Sequence, residues 1–250
     1  MKKGLKNLAW GLAILPLGLL TACGDQLSFN SGINVNSAGA YEVSPAGEFT
    51  EYTNSVQEEN MSFSGYKMIY NIALENGDAL GEIKVNAILV ANQEKTSYQG
   101  AIKFEATAEG EYMNMKMYLP ETDSEHIYVD IKSSGSTEIN GQMKIPYDLT
   151  GGDFGPVEQA LSMASIDVSQ LFEEIATASD VSYEKAESGN KVNYKVSDLE
   201  DSTYYICFEN GVLQGVLCES DGIYISIERF EGNVDYPNFS NYKESTEGLI

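Results

Sequence analysis

The sequence predicts an α+β fold that is mainly β, a long antiparallel meander with a few helices packed on one face. Three observations point there. Apolar residues alternate at period two through much of the chain, between turn dipeptides such as Asn76-Gly77 and Asn210-Gly211, the pattern of half-buried strands and hairpins. Helical periodicity is confined to a few short stretches, and helices grouped beside an antiparallel sheet form a separate layer. Hydrophobic residues make up 42% of the 250 residues and aromatics 10%, so disorder is not expected over most of the length.

At the N-terminus, Lys2, Lys3 and Lys6 precede an apolar stretch from Leu8 to Leu20 that only Gly and Pro16 interrupt. This is a signal-peptide pattern. A spanning helix needs about 20 apolar residues, and this stretch is shorter and ends in small residues. Leu20-Thr21-Ala22-Cys23 resembles the lipobox of bacterial lipoproteins. The resemblance implies cleavage between Ala22 and Cys23 and a diacylglyceryl thioether on Cys23. The mature chain would carry acyl groups such as palmitate and sit on the extracytoplasmic face of the cell membrane. Residues 23–43, rich in Asn, Ser and Gly, read as a flexible tether with a reach of about 25 Å. A single folded domain is expected at 44–240 and a polar tail at 241–250.

Within the domain, Ser44 reads as a helix N-cap with Pro45 in the first turn, and Phe49, Tyr52 and Val56 share one face of a helix of about three turns. From Met61 to about Leu149 the period is two, with turns expected at Asn76-Gly77, Glu109-Gly110, Ser134-Gly135 and Asn140-Gly141. With Asn76-Gly77 central, Tyr66 meets Ala87, Met68 meets Val85 and Tyr70 meets Ile83. With Glu109-Gly110 central, Ala106 meets Met113, Phe104 meets Met115 and Ile102 meets Met117, while Lys103 faces Lys116 on the other side. A one-residue slip would invert every side chain. The first hairpin also carries Phe63, Ile69, Ala73, Leu80, Ile88 and Val90 on its second face, so something must partly cover that side. Two helices are the expected cover: one from Gly155-Pro156 through Val157, Ala160, Leu161 and Ala164, the other after a capping box at Asp167, with Val168, Leu171, Phe172 and Ile175 on one face. Strands follow at 181–184, 191–196, 203–208, 212–218 and 223–230, then an extended segment from Asn233.

Cys207 and Cys218 invite a disulfide in an exported protein. With Asn210-Gly211 as a two-residue turn, Phe208 pairs Leu213, Ile206 pairs Gly215, and Cys207 lies opposite Gln214. That is four residues from Cys218, about 13 Å at ~3.3 Å per residue. A disulfide needs Cα atoms within about 7 Å, so two free thiols are expected.

The order of tether, helix, meander, helical hairpin and second meander resembles the LolA and LppX/LprG-like lipoproteins over roughly residues 45 to 240. The resemblance implies an incomplete barrel, or strongly curved sheet, closed by helices over an apolar cavity, with lipids, lipid-modified proteins or glycolipids as ligands. No motif of that group transfers residue by residue. The candidate ligand face is Met68, Tyr70, Phe104, Met113, Met115 and Met117. Methionine is flexible and polarisable, suited to a surface that repacks around acyl chains. The other reading of this face is an ordinary core.

Composition excludes several classes. Acidic residues number 38 against 15 Lys and Arg, a net charge of −23, and Arg229 is the single arginine. A nucleic-acid partner needs a basic stripe, and none is present. Cleavage after Ala22 removes three lysines and no acid, leaving 12 basic and 38 acidic side chains, or −26. No nucleotide loop, zinc helix or nucleophile elbow occurs, so neither catalysis nor a cofactor is expected. His126, the single histidine, reads as a solvated strand residue opposite Ile127, Val129 and Ile131. Asp198-Leu199-Glu200-Asp201 and Asp123-Ser124-Glu125 are acidic turns without the spacing of a calcium loop. A lipid-anchored, non-catalytic protein that binds a hydrophobic ligand is the reading. A cell-envelope interaction protein with a filled core and an acidic protein- or cation-binding surface is the alternative.

Overall fold

The computed structural model describes residues 32–76, 79–91, 98–108, 111–134, 140–146, 168–199 and 201–245. The signal peptide, Cys23, the helix expected at 155–164, Met163 and the turn residues Gly77, Glu109, Gly110 and Gly135 lie outside them. Among the described residues, thirteen strands form one sheet. Its first meander runs through β2 (Gly65–Asn76), β3 (Ala79–Ala91), β4 (Tyr98–Ala108), β5 (Glu111–Leu119), β6 (His126–Ser134) and β7 (Asn140–Pro146). The second runs through β8 (Ser182–Ser188), β9 (Lys191–Leu199), β10 (Ser202–Glu209), β11 (Val212–Ser220) and β12 (Ile223–Arg229). Two-residue strands, β1 (Glu42–Val43) and β13 (Lys243–Glu244), cap the edges. The spatial order β1-β8-β9-β10-β11-β12-β2-β3-β4-β5-β6-β7-β13 leaves the sheet curved and unclosed. This is the α+β, mainly β architecture expected.

The join between the meanders is not visible in the sequence. β12 pairs antiparallel with β2 over seven residues, from Ile223↔Ile72 to Arg229↔Tyr66. Tyr70 faces Ile225, and Met68 faces Ile227. Arg229 pins this seam. Its Nε donates to the Leu213 carbonyl at 2.9 Å, and Nη2 donates to the carbonyls of Asn60 and Ser62 at 3.2 and 3.0 Å. The guanidinium also lies over the Phe63 ring, 5.4 Å from its centroid. One side chain thus ties the segment entering β2 to both β11 and β12.

Three expected pairings change. The first hairpin pairs Tyr66 with Leu89, Met68 with Ala87, Tyr70 with Val85 and Asn76 with Ala79, a register two residues from that expected. An even shift leaves each side chain on its predicted face, which is why the pattern could not detect it. Asn140-Gly141 is not a turn but the start of β7, where Asn140 faces Lys132 and Gly141 faces Ile131. In β10 and β11 the turn is as expected, with Asn210 and Gly211 at positive φ of 55° and 71°. A bulge between Cys207 and Phe208 then pairs Cys207 with Gly215 and Ile206 with Val216. The extra residue, Gln214 of β11, puts Val216 and Cys218 on the inner face, while Cys207 faces outward by alternation between the inward Ile206 and Phe208. Both cysteines are free and buried, on opposite faces of the sheet. The Glu109-Gly110 hairpin keeps its expected register throughout.

Helix α1 (Ala46–Ser55) begins after Pro45, and no side chain caps it. Ser44, expected as the cap, instead donates its hydroxyl to the Glu48 carboxylate at 2.9 Å. The helix ends at Val56, which is extended, and a single turn, α2 (Glu58–Met61), follows. Helix α3 (Val168–Thr177) matches the expected amphipathic stretch. Phe49 of α1 and Phe172 and Ile175 of α3 pack with Tyr183, Tyr194, Ile206 and Phe208 of the second meander. The Phe49 ring meets Phe172, Tyr183 and Tyr194 at centroid distances of 5.9, 5.8 and 5.2 Å.

The described helices therefore cover the inner face of the second meander, not the second face of the first hairpin as expected. Cover on the outer face comes from the C-terminal segment. Val234, Tyr236, Phe239 and Tyr242 pack on Ala101, Tyr118 and Tyr128, and Phe239 stacks on Tyr128 at 4.0 Å. β13 then runs parallel to β7. The polar tail expected at 241–250 thus begins later, because Tyr242 is buried and Ser245 N–H donates to the Lys144 carbonyl at 2.9 Å.

The stretch expected as tether is shortened in the same way, since residues 32–43 form a strap on the outer face of the second meander. Gly32 N–H donates to Glu228 Oε2 at 2.6 Å. Asn193 Nδ2 donates to the Val35 carbonyl at 2.8 Å, and the Tyr41 hydroxyl donates to the same carbonyl at 2.6 Å. Ala38 is buried, and β1 pairs with β8.

Because Arg229 serves three carbonyls at once, Arg229→Met is expected to destabilise the fold by about 2 kcal/mol or more. Arg229→Lys should recover less than half of that, since one ammonium lacks the planar fork. Urea denaturation at unchanged m-value measures both.

Candidate functional site

The inner face of the first meander is built by strand alternation. Because successive side chains point to opposite faces, β2 contributes Tyr66, Met68, Tyr70 and Ile72, and β5 contributes Met113, Met115, Met117 and Leu119. The registers align them in rows across the sheet. One row runs Ile227, Met68, Ala87, Ile102, Met117, Val129, Met143. The next runs Ile225, Tyr70, Val85, Phe104, Met115, Ile131.

All six candidate residues therefore lie in one cluster on neighbouring strands, each no more than 5% exposed. Cross-strand rows of this kind are the unit that stabilises a sheet. At the described inner positions of β2 to β7, alternation places no charged side chain except Glu111, at the start of β5. Phe63, expected on the second face of the first hairpin, precedes β2 and so escapes its alternation; with Ile225 it borders both this cluster and the one under the helices, so the apolar surface is continuous across the seam. Sequence pattern found the first half of this surface. It missed that Ile223, Ile225 and Ile227 extend it, because only the β12–β2 pairing brings them there.

Electrostatics on this face follow from burial. Desolvation pushes the Tyr70 hydroxyl up to about 12, and Tyr194, on the helix-covered half, is raised to about 12 chiefly by burial. Both stay protonated at neutral pH, as neutral donors. A buried unpaired charge costs far more than a buried hydroxyl. The face is accordingly suited to neutral, apolar matter.

A second cluster sits at the β7 edge on the outer face. His126, expected as a solvated strand residue, places Nδ1 2.8 Å from Asp123 Oδ1. Tyr128 donates its hydroxyl to Asp123 Oδ2 at 2.7 Å, and Lys144 Nζ lies 3.2 Å from the same oxygen. Desolvation works against the charged Asp123, but hydrogen bonds from His126, Tyr128 and Lys144 outweigh it and hold the carboxyl well below its ordinary range. Among the described residues no serine or threonine hydroxyl hydrogen-bonds the imidazole. The cluster orients Tyr128, on which Phe239 stacks, and so fastens the C-terminal segment to the sheet.

The acidic turns raise the question of a metal. Both Asp123 oxygens are engaged as above, and Asp198 Oδ2 accepts from the Ser182 hydroxyl at 3.3 Å. Among the described residues no three His, Cys, Asp or Glu side chains converge on a common point. Cys207, on the outer face, is a neutral thiol raised to about 12 by burial and by Glu228, and Cys218 is also raised by burial. Neither has thiolate character.

No family model matches this chain, and no curated protein is similar to it in sequence. Among solved structures, the crystal structure of LprF from Mycobacterium bovis superposes on 78% of this chain and 98% of that one, at 10% sequence identity and a TM-score of 0.44. A likeness this distant says nothing about a ligand or partner.

Asp123→Asn is expected to lower stability at pH 7 by about 1–2 kcal/mol through weakened charged hydrogen bonds. The native pKa lies below the unfolded value, so the contribution is present above pH ~4 and fades as the pH falls further. Thermal unfolding of both proteins should show a gap at pH 7 that closes toward about pH 2. A gap equally wide at both ends would assign the effect to packing.

Proposed function

We propose that this chain is a bacterial lipoprotein, anchored through lipid on Cys23 to the extracytoplasmic face of the cell membrane, that binds a hydrophobic ligand without catalysis. The observation that carries the ligand reading is the gathering of Met68, Tyr70, Phe104, Met113, Met115 and Met117 into one apolar cluster on the inner face of an unclosed sheet. Four methionines among six residues make a surface that can repack around chains of different length. Curvature and the flanking helices supply the walls, and a lipid or acylated molecule is the ligand class that such a face would accept.

Anchoring is supported by the lipobox resemblance at Leu20-Thr21-Ala22-Cys23. At −26 the mature chain would be repelled by an anionic membrane, which keeps the body soluble beside it.

A second reading is favoured by one specific observation: Met68 and Met117 are 0% exposed. That burial equally suits a filled core, with the acidic surface as the functional part, in an envelope protein that meets other proteins or cations.

The chain from Gly24 onward, which contains every described strand and helix, separates the two readings. Native mass spectrometry should show co-purified lipid, and fluorescent fatty-acid probes should bind saturably. Met117→Lys should weaken probe binding by about tenfold or more, because it buries a charge in the face. Absence of lipid together with no saturable binding would favour the filled core. For the anchor, Cys23→Ser in the full chain should move the protein from the membrane fraction to the soluble fraction.

A further inference from the structure

Tyr70 lies on β2, beside the seam and central in the strand order of the sheet. It is 1% exposed, and its hydroxyl forms no hydrogen bond with any described residue. Nor is that hydroxyl among their fully enclosed, unpartnered polar atoms, so it borders open space. Tyrosines of the helix-covered half differ. Tyr183 donates to the Ile175 carbonyl at 2.8 Å and Tyr194 to the Glu48 carbonyl at 3.5 Å.

The registers explain why no partner is at hand. Ile225 and Val85 stand beside Tyr70 in its row, and Met68 and Ile72 precede and follow it on the same face of β2. None carries an oxygen or nitrogen in its side chain. Because β2 is hydrogen-bonded to β12 on one side and β3 on the other, the nearby backbone carbonyls are spent in the ladders. A phenylalanine would fill the position without the cost of an unpaired hydroxyl. Tyr70 is thus a donor with its capacity unspent.

Charge on this face narrows the acceptor it can take. Burial alone raises the hydroxyl to about 12, so at neutral pH it is an uncharged donor. Cations on the described inner face are engaged elsewhere. Arg229 stands two rows away, opposite Tyr66, and serves three carbonyls. Lys185 pairs with Glu48 and Glu187 at 2.8 and 2.7 Å, and Glu111 is itself an acid. A carboxylate delivered to Tyr70 would be a buried charge without a counter-ion, whereas an ester carbonyl needs one hydrogen bond and brings no charge.

We infer that Tyr70 is the polar handle of the inner face, its hydroxyl donating to the carbonyl of a neutral acyl ester whose chain lies along the methionine rows. Fatty acids held as esters, rather than as free carboxylates, are then the preferred class. The inference rests on the proposed binding of a hydrophobic ligand and names the ligand class within it. One directional bond among apolar contacts sets where along the face the ester sits.

The test uses the chain from Gly24 onward, with methyl laurate as the ester, laurate as the carboxylate and diphenylhexatriene as a fluorescent hydrocarbon that has no acceptor. At about pH 8, where laurate is ionised, methyl laurate should displace diphenylhexatriene saturably and bind about tenfold or more tightly than laurate. Tyr70→Phe should weaken methyl laurate about fivefold or more relative to its effect on diphenylhexatriene, the share of one hydrogen bond. In infrared spectra the carbonyl stretch of bound methyl laurate should lie lower in the wild-type protein than in Tyr70→Phe, and the ligand-free variant should unfold at no lower urea concentration. Equal weakening of ester and hydrocarbon would assign the effect to packing and overturn the inference. An unshifted carbonyl stretch, equally tight laurate or a less stable ligand-free variant would overturn it too, and each of these results leaves the hydrophobic-ligand function standing. If neither diphenylhexatriene nor methyl laurate binds saturably, that function fails and this inference fails with it.

Discussion

The pairing of β12 with β2 is the constraint on which the rest of the structure depends. It joins the last strand of the second meander to the first strand of the first, so two sheets that would each expose an edge become one. It also places Ile225 and Ile227 beside Tyr70 and Met68, and the apolar clusters of the two halves merge across it. Arg229 holds the chain where it enters this seam. A long-range antiparallel pairing costs loop entropy before it returns contact energy. The seam is therefore the step that commits the chain to its topology.

Once the seam is made, the two faces divide the work. At its described positions the inner face carries no charged side chain along the first meander except Glu111 and is covered by α1 and α3 along the second, and burial raises the hydroxyls of Tyr70 and Tyr194 further above neutrality. The outer face carries the polar networks: the strap on Glu228 and Asn193, and the Asp123–His126–Tyr128–Lys144 cluster beneath the C-terminal aromatics. Residues 32–43 and 234–245 are thus used as cover. They also cap the sheet edges with two-residue strands, β1 and β13, short enough to discourage edge-to-edge pairing.

This division shapes the functional reading. On the proposed function a hydrophobic ligand would lie against the inner face, where Glu111 is the one charged side chain that alternation places at the described positions of the first meander.

Period-two alternation by itself determined which residues of β2 to β5 share a face, and the expected Met, Tyr and Phe residues gather there for that reason. The Asn210-Gly211 turn was legible because its backbone needs are local, the β4–β5 register followed from the expected pairing, and α3 was legible from its own periodicity. Alternation was blind to the two-residue register shift in the first hairpin, which changes partners but not faces. It was blind as well to the bulge after Cys207, which has no local composition signal. The strap and the C-terminal cover read as tether and tail because Ile33, Val35, Tyr236 and Tyr242 are isolated apolar residues without periodicity. Their partners lie far away in sequence, 158 residues between Val35 and Asn193 and 117 between Tyr236 and Leu119. Local pattern decides which way a side chain points. Only the tertiary structure, by choosing which distant strands pair, decided what that side chain meets.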